Sequence, residues 1–349
     1  MTTRAPSIRD VAQAAGVSTA TVSRTLSDPD KVSETTRTAV FAAIDDIGYR
    51  VNAAARSLRK QEAGAIAVLL PNLANPFFSS ILSGIAEVMS EAGYSVLIND
   101  TTPLAQDDHR FPEFASKRHV DGLIVLDGLL DQEALLDRGP PQTRPPVVFA
   151  CEWCDRIDRP RVIIDNVAAS RAAVDHLLSL GHTRIGHVSG PPGNVLTTAR
   201  LDGAKAAMAA KGLAMDKVWI YPGDFSLESG VRAAETWLAA DNRPTAVFCS
   251  SDVMAIGFIG ELMRRGVDVP AAVSVVGFDD LDMAAHFVPA LTTVHQPRRD
   301  IGRAAARMLL KRMKLPPAER QEGPAPHEVM PTELVVREST QAPAQGQAG

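Results

Sequence analysis

The sequence predicts an α/β protein: an N-terminal three-helix head containing a helix-turn-helix, followed by a two-lobed core of parallel sheets flanked by helices. Three observations point there. The first fifty residues carry apolar positions at helical spacing interrupted by a glycine, the remainder alternates short continuously apolar runs with amphipathic segments, and those runs fall into two series. The expected division is a head over 1–50, a hinge or linker over 51–62, a core over 63–339 and a disordered tail over 340–349.

In the head, "SIRDVAQAAGVSTATVSRTL" sets Ile8, Val11, Ala12 and Ala15 on one helical face. Gly16 breaks that run, and Ser18 caps a second helix whose inward residues are Val22 and Leu26. Helix, tight glycine-containing turn and helix make a helix-turn-helix. A third helix follows "KVS", with Ser33 as its cap and Val40, Phe41, Ile44 and Ile47 as its buried stripe. The next stretch, "NAAARSLRKQEAG", has good helix formers but little to bury apart from Leu58. A helix this short is marginal in water, so the stretch reads as a linker that folds conditionally.

The core begins at Ala65. "AIAVLLP", "SVLIND", "GLIVLDG", "PVVFAC" and "RVIIDN" form one series of strands, and "RIGHVSG", "VWIYPGD", "TAVFCSSD" and "VSVVGFDD" form another. Runs so continuously apolar, separated by helices such as 77–92 and 251–265, argue for parallel sheets covered on both faces. Two series imply two α/β lobes. The final "STQAPAQGQAG" has no apolar period and reads as disordered.

Composition narrows the function. At 349 residues and 45% hydrophobic, the chain can bury a substantial core. No apolar run approaches the roughly 20 residues that span a bilayer, and nothing near the start resembles a secretion signal, so no membrane association and a cytoplasmic location are expected. The three cysteines, Cys151, Cys154 and Cys249, are too few for a disulfide scaffold. "CEWC" lacks a second ligand pair for a metal, so its thiols are expected to be buried or half-buried at a strand end, with no metal or cofactor. Net charge is −5, yet residues 1–60 hold nine Lys/Arg against six Asp/Glu. The head is basic within an acidic chain.

That basic head suits DNA. With Val22 and Leu26 inward, Thr19, Ala20, Ser23 and Arg24 lie on or near the outer face of the second helix. Arg can bond guanine in bidentate fashion, Thr can donate or accept, and Ala can meet a thymine methyl. Ser18, Thr21, Ser33 and Thr36 are placed for caps and phosphate contacts, which position the protein without reading sequence. Taken alone, the stretch also fits a solvated helical hairpin with capping hydroxyls.

The residues also carry a family likeness. "IRDVAQAAGVSTATVSRTLSDPDKVSETTR" followed by "GYRVNAAARSLR" resembles the head and hinge of the LacI/GalR family of bacterial transcription regulators. The likeness continues through "NPFFSSILSGI", "GHTRIGHVSGP", "RPTAVFCSSDVMAIG", "VSVVGFDD" and "LTTVHQP", to about residue 338. It implies a core like the periplasmic sugar-binding proteins, a homodimer on a near-palindromic double-stranded operator, and a small-molecule effector between the lobes. It also implies that Thr19, Ala20 and Arg24 read bases and that Asn52, Ala55 and Leu58 form the hinge, with the leucine wedged into the minor groove. No Leu heptad follows Arg337, so a dimer without a tetramerising tail is expected.

Independently of the likeness, candidate ligand-binding residues follow the carboxyl ends of strands, where open α/β sheets form their crevices. Asp279 follows "VVGF", Ser251 and Asp252 follow "AVFC" and its serine, Phe225 follows "YPGD", Asp165 ends "RVII", and Arg200 lies in the helix opened by "SGPPGNVLTTAR". Arg200 offers a fork of donors to vicinal hydroxyls, Asp279 accepts, and Phe77, Phe78, Phe225 and Trp153 present apolar faces to a ring; equally, Asp279 or Asp165 fits a loop cap and the Phe77–Phe78 pair fits the core. The motifs sit nearest the purine and cytidine repressor branch. Where the purine branch has an Arg and a Thr before the matched arginine, this chain has Asn194 and Leu196, which favours a nucleoside or sugar over a purine base. No catalytic signature is present: "SGPPG" lacks the Lys and hydroxyl of a phosphate loop, and GxSxG and HExxH are missing. The rival readings are an α/β enzyme or a sugar-binding protein without a regulatory role.

Overall fold

The computed structural model describes residues 6–49, 63–101, 120–130, 144–154, 158–316, 319 and 325–344. The chain forms two compact units, Met1–Ala63 and Gly64–Gly349. The hinge residues Asn52, Ala55 and Leu58 lie outside the described residues.

The head has three helices, α1 (Ile8–Ala14), α2 (Thr19–Ser27) and α3 (Glu34–Ile47). Each start is fixed by a side chain. Ser7 N donates to Asp10 Oδ2 at 2.7 Å, Thr21 N to Ser18 Oγ at 3.0 Å, and Thr36 N to Ser33 Oγ at 3.4 Å. Gly16 turns the chain between α1 and α2 with φ +64°, a conformation that a side chain resists. Val11, Ala12, Val22, Val40 and Ala43 form the buried centre, with Ile8, Ala15, Leu26, Ile44 and Ile47 packed around it. The expectation for Phe41 needs correction, since it is 42% exposed and Ala43 takes the inward place. Successive residues turn by about 100° on a helix, so the position next to Val40 cannot share its face.

In the core unit, β1 (Ala65–Leu70), β2 (Ser95–Asp100), β3 (Gly122–Val125), β4 (Val147–Ala150) and β5 (Arg161–Ile164) join β11 (His327–Met330) in one parallel sheet of order β11-β5-β4-β3-β1-β2. The second sheet, β7-β6-β8-β9, contains β6 (Ile185–Val188), β7 (Ile220–Tyr221), β8 (Ala246–Cys249) and β9 (Ser274–Val276), again parallel. Every residue of β1 and β8 is buried, as strands covered on both faces require. A short antiparallel pair, β10 (Thr293–His295) with β12 (Glu333–Val335), lies where the chain passes between the lobes.

Helices cover both sheets: α4 (Phe77–Glu91) and α9 (Arg298–Met313) in the first lobe, and α5 (Asn166–Ser179), α6 (Val195–Ala209), α7 (Leu227–Ala239) and α8 (Asp252–Arg264) beside the second. Contact between α4 and α9 depends on two glycines. A Cβ on Gly84 would stand 2.1 Å from Arg299 O, and one on Gly302 would stand 2.1 Å from Ile81 O. The backbones meet where side chains would block them.

The tail also departs from expectation. Val275 N donates to Ser339 O at 2.8 Å, Gln341 N to Ser274 Oγ at 3.0 Å, and Thr340 Oγ1 lies 3.0 Å from His176 Nε2. Thr340 and Gln341 therefore belong to the second lobe rather than to a disordered end. Ser339 and Gln341 are tied to the edge strand β9, which an apolar-period reading does not detect. Among the described residues, no helix is long and apolar enough to cross a membrane, and no cluster of three His, Cys, Asp or Glu could hold a metal. Cys151 is buried and Cys154 half-buried, neither in a disulfide.

Candidate functional site

On the head, Thr19, Ala20, Ser23 and Arg24 share a concave face with Ile8, Arg9, Ser27 and Asp28. Thr19, Ala20 and Arg24 are exposed, because Val22 and the buried Thr25 occupy the inward side of α2. Thr25 Oγ1 donates to Thr21 O at 2.9 Å, so its hydroxyl needs no outside partner. Ser18 and Thr21 pair their hydroxyls at 2.9 Å across the start of α2, and Ser33 and Thr36 do the same at the start of α3. Arg9 was missed from the sequence. It lies on the outward side of α1, opposite Val11 and Ala12, and adds a second cation to this face.

The core holds a cleft of about 320 Å³ between its lobes. The first lobe contributes Asn72, Asn75, Phe77, Phe78, Asp127 and Glu152; the second contributes Asn194, Arg200, Asp224, Phe225, Ser251 and Asp279. Most follow the carboxyl ends of strands, as parallel sheets arrange. Phe77 and Phe78 pack edge to face, ring centroids 5.1 Å apart, at the start of α4.

Arg200 is 3% exposed and heavily engaged. Its Nε donates to Asn166 Oδ1 at 2.9 Å, its Nη1 donates to Ser250 O at 2.5 Å, and Nη1 stands 3.9 Å from Asp279 Oδ1. The guanidinium lies over Phe278 at 3.8 Å and reaches Phe225 at 6.0 Å. Gln296 Nε2 donates to Asp279 Oδ1 at 2.7 Å. Burial pushes the Asp279 carboxyl up to about 7, against the pull of Arg200 and Arg298.

Glu152 joins the lobes. Its Oε2 accepts from Gly128 N at 2.8 Å and from Asn194 Nδ2 at 2.9 Å, the latter across the cleft. Burial holds its carboxyl up at about 7. Four non-glycine residues among those described have positive φ: Cys151, Phe225, Asp279 and Asp280. Two of them line the cleft and a third precedes Glu152, consistent with backbone strain held at a binding site by its surroundings.

Three expected residues stand elsewhere. Asp165 is exposed and caps α5, its Oδ1 accepting from Ala168 N at 2.9 Å. Asp252 is fully buried behind the cleft, accepting from Thr293 Oγ1 at 2.5 Å and from Leu281 N at 2.8 Å. It holds the Asp279 loop instead of facing a ligand. Trp153 packs with the cluster of Leu69, Leu123 and Phe149, and Arg161 covers its ring at 5.3 Å. Conversely, Asp127, Glu152 and Asn72 entered the cleft without being expected there.

A helix-turn-helix head and a two-lobed core with an interlobe cleft lined by both polar and apolar side chains define the class: a DNA-binding regulator with an effector-binding core. Residues 7–52 match the model for bacterial regulatory proteins of the lacI family, and 174–340 match a periplasmic binding protein-like domain. The HTH-type transcriptional repressor CytR of Escherichia coli is 38% identical over 97% of each chain. The HTH-type transcriptional repressor PurR of Photobacterium profundum is 37% identical over 95% of this chain and 98% of its own. Among solved structures, the lac repressor dimer bound to operator and the anti-inducer ONPF superposes with TM-score 0.80 at 28% identity, covering 97% of this chain and 100% of that one. The transcriptional regulator CelR–cellobiose complex gives TM-score 0.69 at 30% identity, covering 96% and 100%. The chain belongs to the lacI family of bacterial regulatory proteins. It is a DNA-binding transcriptional repressor with an effector-binding core, not an enzyme.

Proposed function

We propose that the protein acts in the cytoplasm as a homodimeric repressor whose effector is a sugar or nucleoside held in the interlobe cleft. The observation that carries this reading is the pairing of aromatic faces with acceptors in one cavity of about 320 Å³: Phe77, Phe78 and Phe225 flank it, and Asp127, Glu152 and Asp279 line it. A small polyhydroxylated ring needs both. Thr19, Ala20 and Arg24 read the operator, with Arg9 beside them. Ser18, Thr21, Ser33 and Thr36 position the head on phosphates. Asn52, Ala55 and Leu58 are assigned to a hinge that folds on DNA and links lobe arrangement to operator affinity.

Dimerisation is supported by the edge strand β2, where Leu97 and Ile98 are exposed although both are large and apolar. One head reads only a few base pairs, so paired half-sites supply the specificity. Selection of bound duplexes from a random DNA pool tests the reading. A near-palindromic consensus is expected, and an asymmetric single half-site would contradict the dimer.

A further inference from the structure

We infer that the cleft selects an uncharged, donor-rich ligand and rejects phosphate esters and other anions. The inference rests on the sugar-or-nucleoside reading and narrows it by charge. Four carboxylates line the cleft, Asp127, Glu152, Asp224 and Asp279, against Arg200 as the single described cation. That cation is partly committed: its Nε donates to Asn166, its Nη1 donates to Ser250 O and stands 3.9 Å from Asp279, and its guanidinium lies over Phe278. An anion brought into a cavity of this kind needs a counter-charge or strong donors to offset its lost hydration.

Helix N-termini are the usual alternative for holding phosphate. Four helices begin at the cleft, and at each start a side-chain oxygen of the protein already takes a backbone N–H. Asn75 Oδ1 accepts from Phe77 N at 3.0 Å, and Asn194 Oδ1 accepts from Leu196 N at 2.8 Å. Ser226 Oγ accepts from Ser229 N at 3.1 Å, and Ser251 Oγ from Met254 N at 3.2 Å. At α6 the obstruction is doubled. Asn194 turns its amide to Glu152 at 2.9 Å, which sets a carboxyl group in front of the helix start where a phosphate would sit.

What the cleft offers instead is acceptors. Glu152 receives both of its hydrogen bonds on Oε2, so Oε1 takes none from the described residues. A ligand hydroxyl or amino group would supply a donor there. The raised carboxyl of Glu152 fits a group short of such donors, since burial is the largest cause of the shift.

The test uses the full chain at pH 8, above the raised carboxyls of Glu152 and Asp279. Thermal unfolding is followed with ribose, glucose, cytidine and adenosine, each beside ribose 5-phosphate, glucose 6-phosphate or the nucleoside 5′-monophosphate, and calorimetric titration then gives affinities for each hit. The expected result is that the stabilising compounds are uncharged and that each phosphate ester binds at least tenfold more weakly than its parent. In Glu152→Gln, or in Asp127→Asn should the first not fold, this discrimination shrinks at least threefold. A phosphate ester that binds as well as its parent overturns the inference and leaves the sugar-or-nucleoside reading standing. Discrimination unchanged in both variants also overturns it, because size rather than charge would then exclude the ester. Stabilisation by neither half of the panel overturns the sugar-or-nucleoside reading and the inference with it.

Discussion

Glu152 and Asn194 stand on opposite lobes of the core, and Asn194 Nδ2 donates to Glu152 Oε2 at 2.9 Å across the interlobe cleft. The same asparagine caps α6 through Oδ1, so both ends of its amide are fixed. A ligand entering the cleft meets a contact that depends on how the lobes are set, which is where binding energy can become a change in lobe arrangement.

Burial holds the Glu152 carboxyl at about 7 in the folded core, against 4.5 for an ordinary glutamate. Between those values the folded state holds this proton more tightly than the unfolded chain. The Glu152 contribution to stability is therefore full below about 4.5, is lost as pH rises to about 7, and changes no further above it. Relative to Glu152→Gln, the wild-type core should lose on the order of 3 kcal/mol across that window in urea unfolding. His187, pushed down to about 4 by burial, slopes the opposite way in both proteins, so the difference between them is diagnostic. A flat difference would show that Glu152 stays ionised.

Arg24→Ala should cost about 1–3 kcal/mol of operator binding and relax preference at one base pair per half-site. Thr36→Ala should weaken binding to all sequences alike, since its hydroxyl pairs with Ser33 at the helix start instead of facing base edges. Titration against a panel of single-base operator variants separates the two. Equal losses on every variant for Arg24→Ala would remove α2 from the major groove.

Arg200→Ala should abolish the effector response and also lower core stability by about 3–5 kcal/mol, because the buried Asp279 would lose one of the two cations that act on it and keep only Arg298. Pairing it with Asp279→Asn should recover part of that stability without restoring the response. Thermal unfolding and operator titration with effector report the two effects separately. An Arg200→Ala protein that keeps its full stability and response would contradict the cleft's electrostatics.

Gly84→Ala should destabilise the first lobe by about 1–3 kcal/mol or more, since its Cβ would fall 2.1 Å from Arg299 O and push α4 from α9. Chemical denaturation of the variant checks this. Unchanged stability would mean that the helices can part without loss.

Much of the fold was legible because its signals are local. Continuous apolar runs marked β1, β3, β4, β6 and β8, and hydroxyls before apolar periods marked α2 and α3. His327–Met330 was not legible, because it is a mostly exposed edge strand whose partner β5 lies far back in the chain. The cleft was readable where a residue type follows a strand, as for Phe225, Ser251 and Asp279. Asp165 and Asp252 share that position, yet one caps a helix and the other ties down a loop, a choice made by neighbours remote in sequence. Glu152 was overlooked because "CEWC" draws attention to its cysteines, and nothing local says that Asn194 will meet it.

In the proposed function, a ligand in the interlobe cleft changes operator affinity. The most direct test is titration of the full-length wild-type protein on its selected operator, with and without a saturating sugar or nucleoside that stabilises the core. Saturating ligand should shift operator affinity by about 5–150-fold, the range of typical couplings. Identical affinity at ligand saturation would contradict it.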